Sequence, residues 1–302
     1  GYGPIHLGTD IGGSIRLPAA WCGLVGVKPS LGRIPIDPPF MGRAAGPMTR
    51  TVTDAAMAMA VLARPDPRDH MDLPAQAIDW LDLDRDLAGL TIGLQMDAGC
   101  GMPVDPQVRD AIARAAAAME RAGARILPVD PWLTPDLLAH VDRFWQTRAG
   151  VELSAMPPDR RARILPRILD WADRGLGRSG EDVYRDYAAT VEIRRLTAAV
   201  TARFDAILSP VSPNTAFPAE WGCPCDDDVS RTMDHIGFTM PFNLGEQPAV
   251  SVPCGFDDAG VPIGLQIAGR RFDDLGVLRV ARAWERIAPP SRPWPMDGGD
   301  AA

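Results

Sequence analysis

GTDIGGSIRLPAAWCGLVGVKPS, residues 8–30, is the stretch around which the rest of the chain is read. Gly12 and Gly13 stand directly before Ser14, and a glycine pair lets backbone N–H groups enter turns that a Cβ forbids. Amides that converge beside a serine hydroxyl supply the donors that stabilise the oxyanion of an acyl-transfer intermediate, which makes Ser14 a candidate nucleophile. The plain alternative is a flexible Gly-Gly-Ser turn. Its surroundings speak against that alternative: Asp10 and Arg16 flank the turn and can pair across it, Pro18 stiffens its exit, and residues 22–27 form a small apolar run suited to a buried strand.

Other nucleophile arrangements fit less well. A hydrolase elbow needs G-x-S-x-G, and Arg16 occupies the place of the second glycine. The S-x-x-K spacing fails because Leu17 stands three residues after Ser14. A Ser-His-Asp triad would have to recruit His6, His70, His140 or His235, none of which sits in a recognisable motif. Lys28 is the only lysine in the chain, and a lysine base must be desolvated enough to lose its proton near neutrality. Cys223 and Cys225 form a C-x-C pair that could join Cys254 or His235 around zinc. Structural zinc sites more often use C-x2-4-C spacing, so no metal and no other cofactor is expected.

The run GTDIGGSIRLPAAWCGLVGVKPSLGRIP closely resembles the core motif of the amidase signature family, serine hydrolases that cleave carboxamides. The resemblance continues through GPMTRTVTDAAMAMAVLARPDPRD (46–69), FDAILSPVSP (204–213), PFNLGEQPAVSVPCGF and PIGLQIAGRRFDD (within 241–274), and is weakest over 133–203. It implies that Ser14 is the nucleophile. It places the oxyanion hole in the backbone N–H groups of Ile11, Gly12, Gly13 and Ser14, and makes Asp10 and Arg16 the pair that braces the loop. Lys28, in the K-P dipeptide, then belongs to the framework. The family mechanism also needs a second serine and a lysine, both expected before Gly1, so the chain resembles the carboxyl-terminal two-thirds of an amidase. A catalytically incomplete fragment and a non-catalytic homologue therefore stay open beside the enzyme. Within the enzyme reading, one component of a glutamine-dependent amidotransferase shares the signature, although IPIDPPFMGRAAGP (34–47) looks more like the stand-alone amidases.

Composition bounds the remaining classes. The 302 residues are long enough for a substantial core, and the net charge of −8 with a pI near 5.0 argues against a general binder of nucleic acid or anionic membrane. No run of eighteen apolar residues occurs, and five scattered cysteines suit a reducing compartment, so a cytoplasmic protein acting on a small-molecule amide is expected, with a homodimer left open.

Patterning predicts an α/β fold. A helix is expected over 51–62, and a strand at 90–94, a helix to about 122 capped by Asp105 and Pro106, and a strand at 124–129 form a β-α-β unit. Residues 134–203 read as a variable helical region with Ser179 as a cap, whose Phe144, Trp145, Trp171, Tyr184 and Tyr187 suit either helix packing or an acyl channel. A strand is expected at 204–209, a hairpin over 249–268 and an amphipathic helix over 272–287, with 34–47 irregular and 288–302 a loose tail. The expectation is one domain over 1–302, a single α/β/α domain with a mixed central sheet covered by helices on both faces. It is incomplete at the amino terminus, with residues 1–33 holding the nucleophile and oxyanion segment.

Overall fold

The computed structural model describes residues 3–289. β1 (Ile5–Asp10) runs through the glycine loop into α1 (Arg16–Trp21), followed by β2 (Val25–Lys28), β3 (Ala44–Thr49) and α2 (Val52–Leu62). The β-α-β unit comprises β4 (Thr91–Leu94), α3 (Pro106–Arg121) and β5 (Arg125–Pro128). Four helices come next: α4 (Pro135–Ser154), α5 (Pro158–Arg161), α6 (Pro166–Asp173) and α7 (Gly180–Thr201). β6 (Ala206–Pro210), α8 (Met240–Leu244), the hairpin β7 (Ala249–Phe256) and β8 (Pro262–Ala268), and α9 (Asp274–Ile287) complete the fold.

The eight strands form one mixed sheet in the order β1-β3-β2-β7-β8-β6-β4-β5. β4 runs parallel to β5 and to β6, as a β-α-β crossover requires, and the remaining pairs are antiparallel. Alternation along the strands feeds two cores. Leu208, Val250, Val252 and Ile267 join α2, α3 and α9 on one face. Ile207, Ala249 and Ala268 join α1, α4, α7 and α8 on the other. The α/β architecture with helices on both faces is the one expected.

Local capping chemistry accounts for several helix starts. Thr51 Oγ1 accepts from the Asp54 N–H, Asp105 from the Gln107 N–H and Ser179 Oγ from the Asp182 N–H, each satisfying a donor that the first turn leaves unpaired.

Three stretches differ from the expectation. Residues 44–49 form β3 although Gly46 and Pro47 read as breakers, because β3 lies between β1 and β2 and closes on both. Gly46 is needed there, since a Cβ would stand 1.9 Å from the Val27 carbonyl oxygen. The apolar run at 22–27 yields a strand only from Val25, because Cys22 and Gly23, the latter at φ +66°, form the turn that ends α1 at Trp21. Of the aromatic residues in the helical region, Trp145 and Trp171 are core, whereas Tyr184 and Tyr187 face solvent. Most of the expected tail, residues 290–302, lies outside the described residues.

Candidate active site

β1 delivers Asp10 into the interior at the point where the chain turns, and Asp10 is fully buried there. Its carboxylate organises the loop. Oδ1 accepts from the Gly13 N–H (2.8 Å), and Oδ2 from the Ile15 and Arg16 N–H groups (3.2 and 3.4 Å). Arg16, also fully buried, closes the pair through Nε to Oδ2 (3.0 Å) and Nη2 to Oδ1 (2.9 Å). Burial alone would raise the Asp10 pKa, but the Arg16 charge and hydrogen bonds outweigh it and hold the carboxyl at about 2.

Gly13 has φ +134°, and a Cβ there would meet Leu17 Cδ1 at 2.6 Å and Thr239 Oγ1 at 2.7 Å. Only glycine fits that position. Gly12 is nearly as confined, with Trp145 of α4 and Ile236 packed over it, and its carbonyl accepts from Thr239 Oγ1 at 2.5 Å. Helical bonding begins at once: the Leu17 N–H reaches the Gly13 carbonyl at 2.7 Å, so Ser14 belongs to the first turn leading into α1. Ser14 is the exposed residue of an otherwise enclosed loop, and its hydroxyl has no hydrogen-bond partner among the described residues.

The structure thus brings Asp10, Ile11, Gly12, Gly13, Ser14 and Arg16 into one compact turn. Among the four N–H groups expected to face an oxyanion, that of Gly13 is engaged by Asp10, whereas those of Ile11, Gly12 and Ser14 donate to no other described residue. The four histidines are dispersed: His6 bonds the Gly3 carbonyl, and His140 bonds Asp186 between α4 and α7. Lys28 is buried below the site with its Nζ on the Pro29 carbonyl (2.8 Å). Burial, assisted by the Arg16 charge, lowers its pKa to about 7. Cys223 Sγ accepts from Arg167 Nη2 (2.9 Å), and among the described residues no three His, Cys, Asp or Glu side chains converge as metal ligands.

Three supporting residues escaped the sequence reading. Arg16 Nη1 donates to the Thr239 carbonyl (3.0 Å) and Gln266 Oε1 (2.7 Å), and Arg16 Nη2 donates to Asn243 Oδ1 (2.5 Å). Asn243 Nδ2 returns bonds to the Asp10 carbonyl, to Asp10 Oδ1 and to the Gly42 carbonyl. Asn243 and Gln266 lie within the quoted motifs PFNLGEQPAVSVPCGF and PIGLQIAGRRFDD; a buried polar residue inside an apolar run was the available signal.

Both the fold and this loop define a class. A family model described as Amidase matches residues 1–278, and the chain belongs to the amidase signature family. It is 34% identical over 322 aligned positions to the glutamyl-tRNA(Gln) amidotransferase A subunit of Brevibacillus brevis, covering 93% of this chain and 63% of that protein. Its structure is similar to that of a bacterial aryl acylamidase of the amidase signature enzymes, with TM-score 0.83 and 31% identity over 95% of this chain and 62% of that one. It is also similar to the glutamyl-tRNA(Gln) amidotransferase A subunit of Thermotoga maritima, with TM-score 0.74 and 28% identity over 95% and 63%. The chain therefore spans just under two thirds of the length of these relatives. Among the described residues, no helix is long and apolar enough to cross a membrane.

Proposed function

We propose that the protein is an amidase in which Ser14 forms the acyl-enzyme. The observation that carries this reading is an exposed serine hydroxyl on a turn whose shape the buried Asp10–Arg16 pair fixes, with the N–H groups of Ile11, Gly12 and Ser14 itself unengaged among the described residues. Ser14 Oγ attacks the carboxamide carbon as its proton passes to a base, giving a tetrahedral oxyanion. The free N–H groups of Ile11, Gly12 and Ser14 receive that charge, and each such donor is worth about 10²–10³ in rate. If Gly13 is to contribute, its N–H must leave Asp10. The C–N bond then breaks with protonation of the leaving nitrogen, and water releases the carboxylate and restores Ser14.

Lys28 has its ammonium on a backbone carbonyl and belongs to the frame. The base in this proposal is the lysine, acting through a second serine, that the family resemblance implies outside the described residues. The likeness to amidotransferase A subunits favours a second reading with the same nucleophile, in which the amide cleaved is that of glutamine and the ammonia passes to a partner. A non-catalytic homologue is the outcome if Ser14 is inert.

The test is intact-mass analysis after treatment with a fluorophosphonate, on the protein expressed from its natural start codon, together with a panel of carboxamides. The expected outcome is one adduct at Ser14, lost in Ser14→Ala, and a fall in kcat/KM of about 10⁴-fold or more with the melting temperature unchanged. Activity within a few-fold of wild type in Ser14→Ala would sink the assignment. Hydrolysis confined to glutamine would decide for the second reading.

A further inference from the structure

Three aromatic rings from three separate segments meet beside the serine loop. Trp21 ends α1, seven residues after Ser14. Two helical turns return it to the Ser14 side at about 10 Å along the axis. Its ring meets Phe217 edge-on at 5.0 Å between centroids and lies tilted against His235 at 6.3 Å. His235 is next to Ile236, the residue that packs over Gly12, so this cluster is joined directly to the floor of the loop.

All three rings are only half-buried, unlike Trp145 and Trp284, which the core encloses. The indole N–H is occupied by the Asn214 carbonyl at 3.4 Å, which leaves the ring surface as what Trp21 offers. Among the described residues, His235 Nδ1 is buried without a hydrogen-bond partner. A shelf of ring surface placed on the nucleophile's side of α1 suits a flat apolar group.

We propose that Trp21, Phe217 and His235 form the subsite for an aromatic ring of the substrate, making the protein selective for aryl carboxamides. This rests on the amidase reading above. Rings prefer offset or edge-on partners, a geometry that Trp21 and Phe217 already present to each other and that an incoming ring extends. Burial lowers the His235 pKa to about 4, so near neutral pH the shelf offers a neutral ring. A charged substrate group gains nothing there.

The experiment is calorimetric titration of benzamide and cyclohexanecarboxamide, one flat and one puckered, into Ser14→Ala protein. Binding is thereby read without turnover. Benzamide is expected to bind about tenfold more tightly, and either Trp21→Ala or Phe217→Ala in that background is expected to reduce the preference to about threefold or less. Phe217 lies in a surface loop, so its variant keeps the test available if Trp21→Ala fails to fold. Equal binding of the two amides, a preference kept in both variants, or no binding of either overturns the subsite. The tenfold preference in Ser14→Ala, lost in both ring variants, together with wild-type protein that no fluorophosphonate labels, would overturn the amidase reading and leave the subsite standing.

Discussion

Lys28 shows what one enclosed charge does to the molecule. Its ammonium lies at the end of β2 with a single carbonyl partner, and Arg16 adds a second positive charge nearby. Its pKa falls from 10.5 unfolded to about 7 folded, so between those values the unfolded chain holds more protons. Stability must then rise with pH from about 7 towards 10.5, by a few kcal/mol at most. Below pH 7 the full cost of burying the ammonium is present. Chemical denaturation of wild type and Lys28→Met across pH 7 to 10 checks this: the wild type should gain on the variant as pH rises. A difference that stays flat would mean the ammonium is solvated.

At the scale of elements, the helical region owes its assembly to a polar clamp as much as to apolar packing. Asp186 of α7 is buried and accepts from Arg143 Nε (3.1 Å) of α4 and from Arg178 Nη2 (2.6 Å) just before α7, with His140 Nδ1 of α4 2.7 Å from the same carboxylate. Asp186→Asn leaves the guanidinium donors of Arg143 and Arg178 facing a neutral amide. Because Arg143 and Arg178 are partly exposed, the expected loss is about 2–3 kcal/mol, just below the range for breaking a fully buried ion pair. Urea unfolding reads it as a lowered midpoint at constant slope. None of this was legible in residues 134–203, where periodicity announced helices but not which of their faces meet. The caps Asp105 and Ser179 were legible because a cap is satisfied within three residues.

For the whole molecule, Arg16 is the tie. Its five N–H groups are all used, on Asp10, the Thr239 carbonyl, Asn243 and Gln266, which draws β1, α8 and β8 onto one guanidinium. A lysine offers three donors without the planar fork, so Arg16→Lys strands buried acceptors. The expected cost is about 3 kcal/mol or more, seen as a lowered melting temperature, with loss of fluorophosphonate labelling at Ser14 because the loop loses its brace. Labelling at the wild-type rate would show that the loop holds its shape through Asp10 alone.

Residues 8–30, the apolar runs of β7 and β8 with the turn residues between them, and the short-range caps were enough to determine the family, the α/β class and Ser14 as the residue to test. Those features are local, so they are readable along the chain. Tertiary structure alone decided the rest. β1 buries little and β3 carries Gly46 and Pro47, so neither shows a hydrophobic period; they are strands because they pair with each other and β3 pairs in turn with β2. The partners of Arg16 other than Asp10 lie 223–250 residues away, and Phe217 and His235 reach Trp21 only when the segments after β6 fold back over α1. Contacts at that separation leave no period or spacing in the sequence, because their geometry is set by the packing of the sheet between its two cores.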